Sequence, residues 1–224
     1  MKAKLIGLTG PAGCGKDTVA DYLCSHKGFT RYAYADPLRL EVAAAFGISV
    51  DLLMDRDHKE KPTEKLALER CTDRRFVASI NDWHWVDFST TSPRSPRFIM
   101  QAWGTEYRRA FDGQDYWINQ AENALADLDR AGIVNVVITD VRFEDEANFI
   151  RCRTGQIWHL HRPDLMAVNP HISERGVAIH DNDIEIINSS SIGNLHTQVA
   201  LMLQAKTSNC GPVRHWECNA GCAS

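Results

Sequence analysis

The feature that most constrains this chain is Gly10-Pro-Ala-Gly13-Cys-Gly15-Lys16, which follows the apolar run Lys4–Thr9 directly and opens the helical segment Lys16–His26. A strand, a glycine-rich turn and a helix that starts on lysine form a cradle for phosphate. Glycines let successive N–H groups turn inward, the helix N-terminus adds positive potential, and a lysine at that position neutralises β- and γ-phosphates. The expected cradle comprises Gly10, Gly13, Cys14, Gly15, Lys16, Asp17 and Thr18, with Lys16 as the catalytic cation. One position departs from the usual pattern. Asp17 stands where Ser or Thr normally holds Mg²⁺, so either Thr18 supplies the hydroxyl or Asp17 binds the hydrated ion.

The rest of the chain alternates in the same way. Strands are expected at Thr30–Ala35, Ile133–Thr139, Gln156–His161 and Asp183–Asn188. Helices are expected at Leu38–Phe46, Asp115–Ala131, Glu144–Arg151 and about Ser191–Ala205. Ile133–Thr139, rich in β-branched residues, reads as a strand buried on both faces. Five strands interleaved with helices imply an α/β fold with a parallel sheet covered on both sides. With 224 residues and 44% hydrophobic content, one elaborated domain is expected. A net charge of -4 argues against general nucleic-acid binding. The sequence has no apolar run of the roughly 18 residues needed for a span, so no membrane association is expected. Seven cysteines, four of them (Cys14, Cys24, Cys71 and Cys152) scattered through the body, suit a reducing cytoplasm better than a disulfide framework. Ser49–Pro96 and Pro163–His180 break the alternation and read as an irregular insertion and a polar excursion. The cysteine-containing tail, 207–224, reads as flexible.

Candidate chemistry clusters where strands end. Asp140 ends the Ile133–Thr139 strand, where open α/β sheets bind ligands, and is a second candidate for Mg²⁺ or its water shell. Arg142 projects from the same edge. Asp36 and Arg39 follow the second strand. Capping by Asp36 ahead of Pro37 explains that residue as well as substrate contact does. On a wheel of about 100° per residue, Arg97, Gln101, Gly104 and Arg108 share one face of Arg97–Phe111. Ile99, Met100, Trp103, Tyr107 and Ala110 lie opposite, toward a core. Guanidinium forks suit phosphate oxygens and an amide suits a base edge, although a solvated polar face has the same pattern. Gly104 is a potential break in the helix, and Arg109 falls off the polar arc and is expected as a surface charge.

Taken in order, GPAGCGKDT, YADPLR, DRDHKE, SPRFIMQAWGTEYRR, VVITDVRFEDEA, HLHRP, HISE and IINSSSIGNL resemble the bacteriophage deoxynucleoside monophosphate kinases, a branch of the phosphate-loop nucleoside monophosphate kinases. The resemblance spans about residues 4 to 203. It implies a three-layer P-loop kinase sandwich over 1–206, with an acceptor flap at about 38–109 and a lid at about 162–180. It implies ATP and Mg²⁺, a deoxynucleoside monophosphate acceptor and a role in supplying phage DNA synthesis in the host cytoplasm. Arg162 joins Lys16 and Arg142 as a catalytic candidate, and Arg175 is a further lid arginine. Asp36, Arg39, Arg97, Gln101 and Arg108 form the acceptor side; Asp17, Thr18 and Asp140 form the metal side. Related kinases make a homodimer an expectation. Two alternatives stay open: a kinase for a hydroxyl acceptor, either dephospho-coenzyme A kinase-like or acting on hydroxymethylated bases, with Asp36 or Asp140 as base; and a nucleotide switch with no acceptor.

Overall fold

A computed structural model describes residues 4–55, 57–81, 89–163 and 176–205. Five strands, β1 (Lys4–Thr9), β2 (Thr30–Tyr32), β3 (Asn135–Ile138), β4 (Gln156–His161) and β5 (Ile184–Ile187), form one sheet in the order β2-β3-β1-β4-β5. Every pairing is parallel, with Gly7 opposite Ile138, Thr9 opposite His159 and His161 opposite Ile187. All strand C-termini therefore meet along one edge. The second strand is shorter than expected because the backbone turns at Ala33 to begin α2 (Ala35–Phe46).

Side-chain alternation along the strands divides the interior into two layers. Ile6, Leu8, Val137, Trp158, Leu160 and Ile186 face the helices α1 (Lys16–Lys27) and α8 (Ile192–Ala205), meeting Val19, Leu23, Leu195 and Val199. Val136, Ile138 and Ile157 face the other way. There they meet Phe149 and Ile150 of α7 (Glu144–Cys152) and the aromatic residues Phe76, Trp103, Tyr107 and Trp117. Burying an aromatic side chain removes about 150–250 Å² from water, so this second layer carries much of the apolar burial. Trp117 belongs to α6 (Tyr116–Arg130). Among the described residues, no helix is long and apolar enough to cross a membrane.

Much of the stretch read as irregular is packed structure. It holds α3 (Val50–Met54), 3₁₀ turns at Glu64–Leu66 and Leu68–Arg70, and α4 (Arg74–Asn81). Leu53, Leu66, Leu68, Cys71, Phe76 and Ile80 are buried and continuous with Trp103 and Tyr107. Phe76 and Ile80 form an i, i+4 stripe, with Val77 packed beside it, on a helix too short to dominate the surrounding composition. Trp83, His84 and Trp85, most of the 162–180 excursion including Arg175, and the tail cysteines Cys210, Cys218 and Cys222 with His215 lie outside the described residues.

The segment carrying Arg97 and Arg108 also departs from expectation. It starts as α5 (Pro96–Gln101), with Ser95 Oγ accepting Phe98 N–H at 3.2 Å, then continues as a π-helix over Ala102–Asp112. Gly104 does not break it. Its Cα sits close against Leu38, where an added Cβ would lie 3.1 Å from Leu38 Cδ2, and its carbonyl accepts Trp117 Nε1–H at 2.9 Å. The i→i+5 winding turns each residue through less than the α-helical 100°, so the wheel drifts after Ala102. Gly104 is buried, Ala110 is exposed, and Arg109, expected on the surface, is only 5% exposed.

Candidate active site

The loop between β1 and α1 is built on glycines that no other residue can replace without strain. Gly10 has φ 135°, and a Cβ there would lie 2.3 Å from the Leu160 carbonyl oxygen of β4. Gly15 has φ 111° and packs against the Asn188 amide, which donates to Cys14 O at 2.9 Å. The neighbouring strand ends thus hold the loop from β4 and β5. Lys16 folds back over it, Nζ donating to Gly10 O at 2.6 Å and Pro11 O at 2.9 Å. Cys14 is fully buried under the loop and is a free thiol. Thr18 is half-buried in the first turn of α1. Asp17 is exposed, its carboxylate 3.5 Å from Arg31 Nη2.

A pocket opens beside the loop, lined among others by Thr9, Gly10, Lys16, Asp140, Arg142 and Gly176. Three sequence candidates, Lys16, Asp140 and Arg142, therefore share one wall. Asp140 also supports the backbone. Its Oδ1 accepts Tyr34 N–H at 2.8 Å and its Oδ2 accepts Ala35 N–H at 2.9 Å, capping α2 from across the sheet. Burial raises the Asp140 pKa, while Arg142 and the two N–H donors oppose that rise. Each of its oxygens keeps a lone pair for a cation or bound water. Asp36, expected to cap α2 from its N-terminus, lies inside the helix. Its Oδ2 accepts Ala33 N–H at 3.0 Å and its Oδ1 accepts from Arg39 at 2.7 Å. A larger groove of about 320 Å³, against Phe46, Leu52, Lys65 and Arg70, lies at the opposite end of α2 and gathers none of these candidates.

The acceptor-side candidates divide. Gln101 Nε2 and Arg39 Nε are buried without hydrogen-bond partners among the described residues. Arg97 pairs with Glu60 while its own N–H donates to Lys59 O at 2.9 Å. Arg108 is held by Glu41 at 2.7 Å and Asp112 at 2.8 Å, with its guanidinium 4.9 Å from the Tyr107 ring centre and 5.0 Å from that of Tyr116. Arg97 and Arg108 thus do not present one open face. Arg162 is exposed just beyond β4.

The residues missed in the sequence are the ones that support these. Glu41 receives Trp103 Nε1–H at 2.8 Å, Tyr116 O–H at 2.6 Å and Arg108 Nε–H at 2.7 Å, joining α2, the π-helix and α6. Glu146 Oε2 accepts both Arg142 N–H at 2.8 Å and Phe143 N–H at 3.2 Å. Burial pushes its carboxyl up to about 8 against the pull of those donors and Arg109. The sequence signal for Glu146 was its place in the Asp140-Val-Arg142-Phe143-x-x-Glu146 block that carries the family resemblance, which gave it no role. Nothing local marked Glu41.

A second polar cluster fixes the chain returning to β5. Asp183 is met by Arg151 Nη2 at 2.6 Å, Arg151 Nε at 3.2 Å, His159 Nε2 at 3.0 Å and His180 N–H at 3.0 Å. Glu144 Oε2 accepts Ala178 N–H at 3.1 Å. These contacts hold Asp183 well below the usual carboxylate range, at about 2, against the opposing effect of burial.

A parallel sheet with a glycine cradle at its C-terminal edge, a lysine over the cradle and an Asp and an Arg lining the pocket beside it defines a phosphate-loop nucleotide-binding protein. The family described as deoxynucleotide monophosphate kinase matches residues 52–199, well over half of the chain, and this chain belongs to that family. Three relatives are similar over nearly their full length. A protein of Acanthamoeba polyphaga mimivirus, provisionally named a deoxynucleotide monophosphate kinase, is 29% identical, covering 87% of this chain and 93% of the relative. The deoxynucleoside-5′-monophosphate kinase of Escherichia phage T5 is 28% identical, covering 87% and 94%. The deoxynucleotide monophosphate kinase of Enterobacteria phage T4 is 24% identical, covering 88% and 97%.

Proposed function

We propose that the chain transfers the γ-phosphoryl group of ATP to the 5′-phosphate of a deoxynucleoside monophosphate, giving the diphosphate and ADP. The observation that carries the reading is the pocket wall shared by Lys16, Asp140 and Arg142 beside the glycine cradle, in a chain of this family. A phosphate acceptor has a second pKa near 6, so it arrives largely dianionic at neutral pH and needs no general base. The residues then have to position the reactants and neutralise charge. The loop N–H groups and Lys16 hold the donor phosphates, and Arg142 and Arg162 converge on the transferring group. Arg39, Arg97 and Gln101 take the acceptor; the unpartnered donors of Arg39 and Gln101 are polar groups that a bound nucleotide satisfies. Arg108, with Glu41, sets the shape of that side.

Mg²⁺ fits Asp140, directly or through water, with either the half-buried Thr18 hydroxyl or, through water, the exposed Asp17 carboxylate as the oxygen donor from the loop. Among the described residues no three His, Cys, Asp or Glu side chains converge on a metal. An ion that rests mainly on phosphate oxygens and one or two protein groups needs no such cluster. When bound it supplies charge neutralisation of the donor phosphates. A cytoplasmic setting is proposed on the free thiols Cys14, Cys24, Cys71 and Cys152, and a homodimer on the kinase reading alone.

A hydroxyl acceptor fits the site less well. It asks Asp36 or Asp140 to act as base, and Asp36 is tied to Ala33 N–H and Arg39 while Asp140 is the carboxylate given above to Mg²⁺. The deciding assay measures ADP formation from ATP and Mg²⁺ with deoxynucleoside monophosphates, ribonucleoside monophosphates, dephospho-coenzyme A and hydroxymethyluracil-containing DNA. Turnover is expected with deoxynucleoside monophosphates; turnover with a hydroxyl acceptor alone overturns the reading.

A further inference from the structure

Three consecutive acids, Glu144, Asp145 and Glu146, open α7 immediately after Arg142 and Phe143. Sequence alone reads them as favourable charges at a helix N-terminus. In the fold each has a different partner. Glu144 holds the chain returning to β5, Asp145 pairs with Arg109 of the π-helix, and Glu146 holds the backbone of Arg142 and Phe143. Arg109 crosses from the acceptor side with its guanidinium 4.1 Å from the Phe143 ring centre and Nη1 3.7 Å from Glu146 Oε1.

Resting on the kinase reading above, we propose that Arg109 and Glu146 are positioning residues that couple the acceptor-side π-helix to Arg142. Two successive N–H groups converging on one carboxylate oxygen fix the bend from which the Arg142 side chain leaves the sheet edge. Arg109 fixes the same bend from outside by stacking on Phe143 and binding Asp145. Nη1 of Arg109 is buried and has no hydrogen bond among the described residues. A shift of about 0.8 Å brings it from 3.7 Å to hydrogen-bonding distance of Glu146 Oε1. Burial alone does not account for the arrangement. A cation that merely filled space need not stack on Phe143, nor share Glu146 with the backbone of Arg142 and Phe143.

The test uses Arg109→Lys, which keeps the charge and loses the planar fork, Glu146→Gln, which keeps one acceptor oxygen and replaces the other with a donor amide, and the double variant. Asp145→Asn, at a more exposed carboxylate, is the milder substitution should either of the others fold poorly. Each single variant is expected to lower kcat for the deoxynucleotide reaction by ~10–100-fold with ATP KM unchanged, as a displaced positioned group does. The double variant is expected to be no slower than the worse single one, because both act through one element. Amide exchange at Arg142 and Phe143 is expected to quicken by ~10-fold or more, a readout independent of turnover. Unchanged exchange at those amides, or strictly additive kcat effects, overturns the proposal. A wild type inactive on deoxynucleotides but with the predicted exchange changes strikes the kinase reading and leaves the coupling standing.

Discussion

Asp183 ties the chain entering β5 to Arg151 of α7 and His159 of β4, and neutralising it is a quantitative test of how that return is held. Its side chain is 2% exposed and meets Arg151 through two nitrogens, His159 through one, and the His180 N–H. The carboxyl falls from an ordinary 3.8 to about 2. At 1.36 kcal/mol per decade, that depression is worth about 2 kcal/mol of folding stability with the carboxylate ionised in both states. A depressed acid stabilises above its unfolded pKa, and that stability is lost as pH falls through the folded pKa. About half of it is therefore gone by pH 3, and nearly all of it below pH 2. Asp183→Asn removes the charge with little change of shape. In urea unfolding at pH 7 the variant is expected to be about 2 kcal/mol less stable than wild type, with the gap narrowing to about 1 kcal/mol at pH 3. A gap that stays constant between those pH values refutes the reasoning, because then hydrogen-bond geometry and not ionisation holds the cluster.

Other perturbations separate chemistry from architecture. Lys16→Ala should cost at least 10²-fold in kcat, read by ADP release, with an unchanged circular dichroism spectrum; near-normal turnover removes the phosphate-cradle assignment. Gly10→Ala drives a methyl into the Leu160 carbonyl at a positive φ, so it should cost about 2 kcal/mol or more and weaken ATP binding together with stability. Arg97→Ala should raise the deoxynucleotide KM by ~10-fold while sparing ATP. Arg108→Ala should act chiefly on stability, by about 2–3 kcal/mol in chemical denaturation, because it strips Glu41 and Asp112 of the cation they share and empties the space beside the Tyr107 and Tyr116 rings. Equal effects of Arg97→Ala and Arg108→Ala on KM alone would restore the shared face expected from the wheel.

How much was legible in advance follows from the range of each interaction. The cradle Gly10–Thr18, the five strands and the helices around them are set by neighbours within a few residues. Glycine φ values, the alternation of Leu5, Ile6 and Leu8, and the β-branched run Val136-Val137-Ile138 all belong to that range. Local chemistry also puts Asp140 and Arg142 at a strand end. The polar composition of 49–96 concealed Phe76 and Ile80, since two buried residues on one helix do not dominate a window of that length.

Tertiary structure alone decided the remainder. The order β2-β3-β1-β4-β5 is what brings residue 140 beside the loop at residue 10 and against Tyr34. The π-helix arises where Gly104 must press on Leu38 and Trp117, and it turned Arg109 inward and Ala110 out. Glu41 gathers donors from residues 103, 108 and 116, contacts no period in the sequence encodes. Short-range steric rules let the sequence by itself determine the strands, the helices and the phosphate cradle. Which charges were paired, buried or left open to a substrate depended on partners tens of residues away, and only the packed fold could choose them.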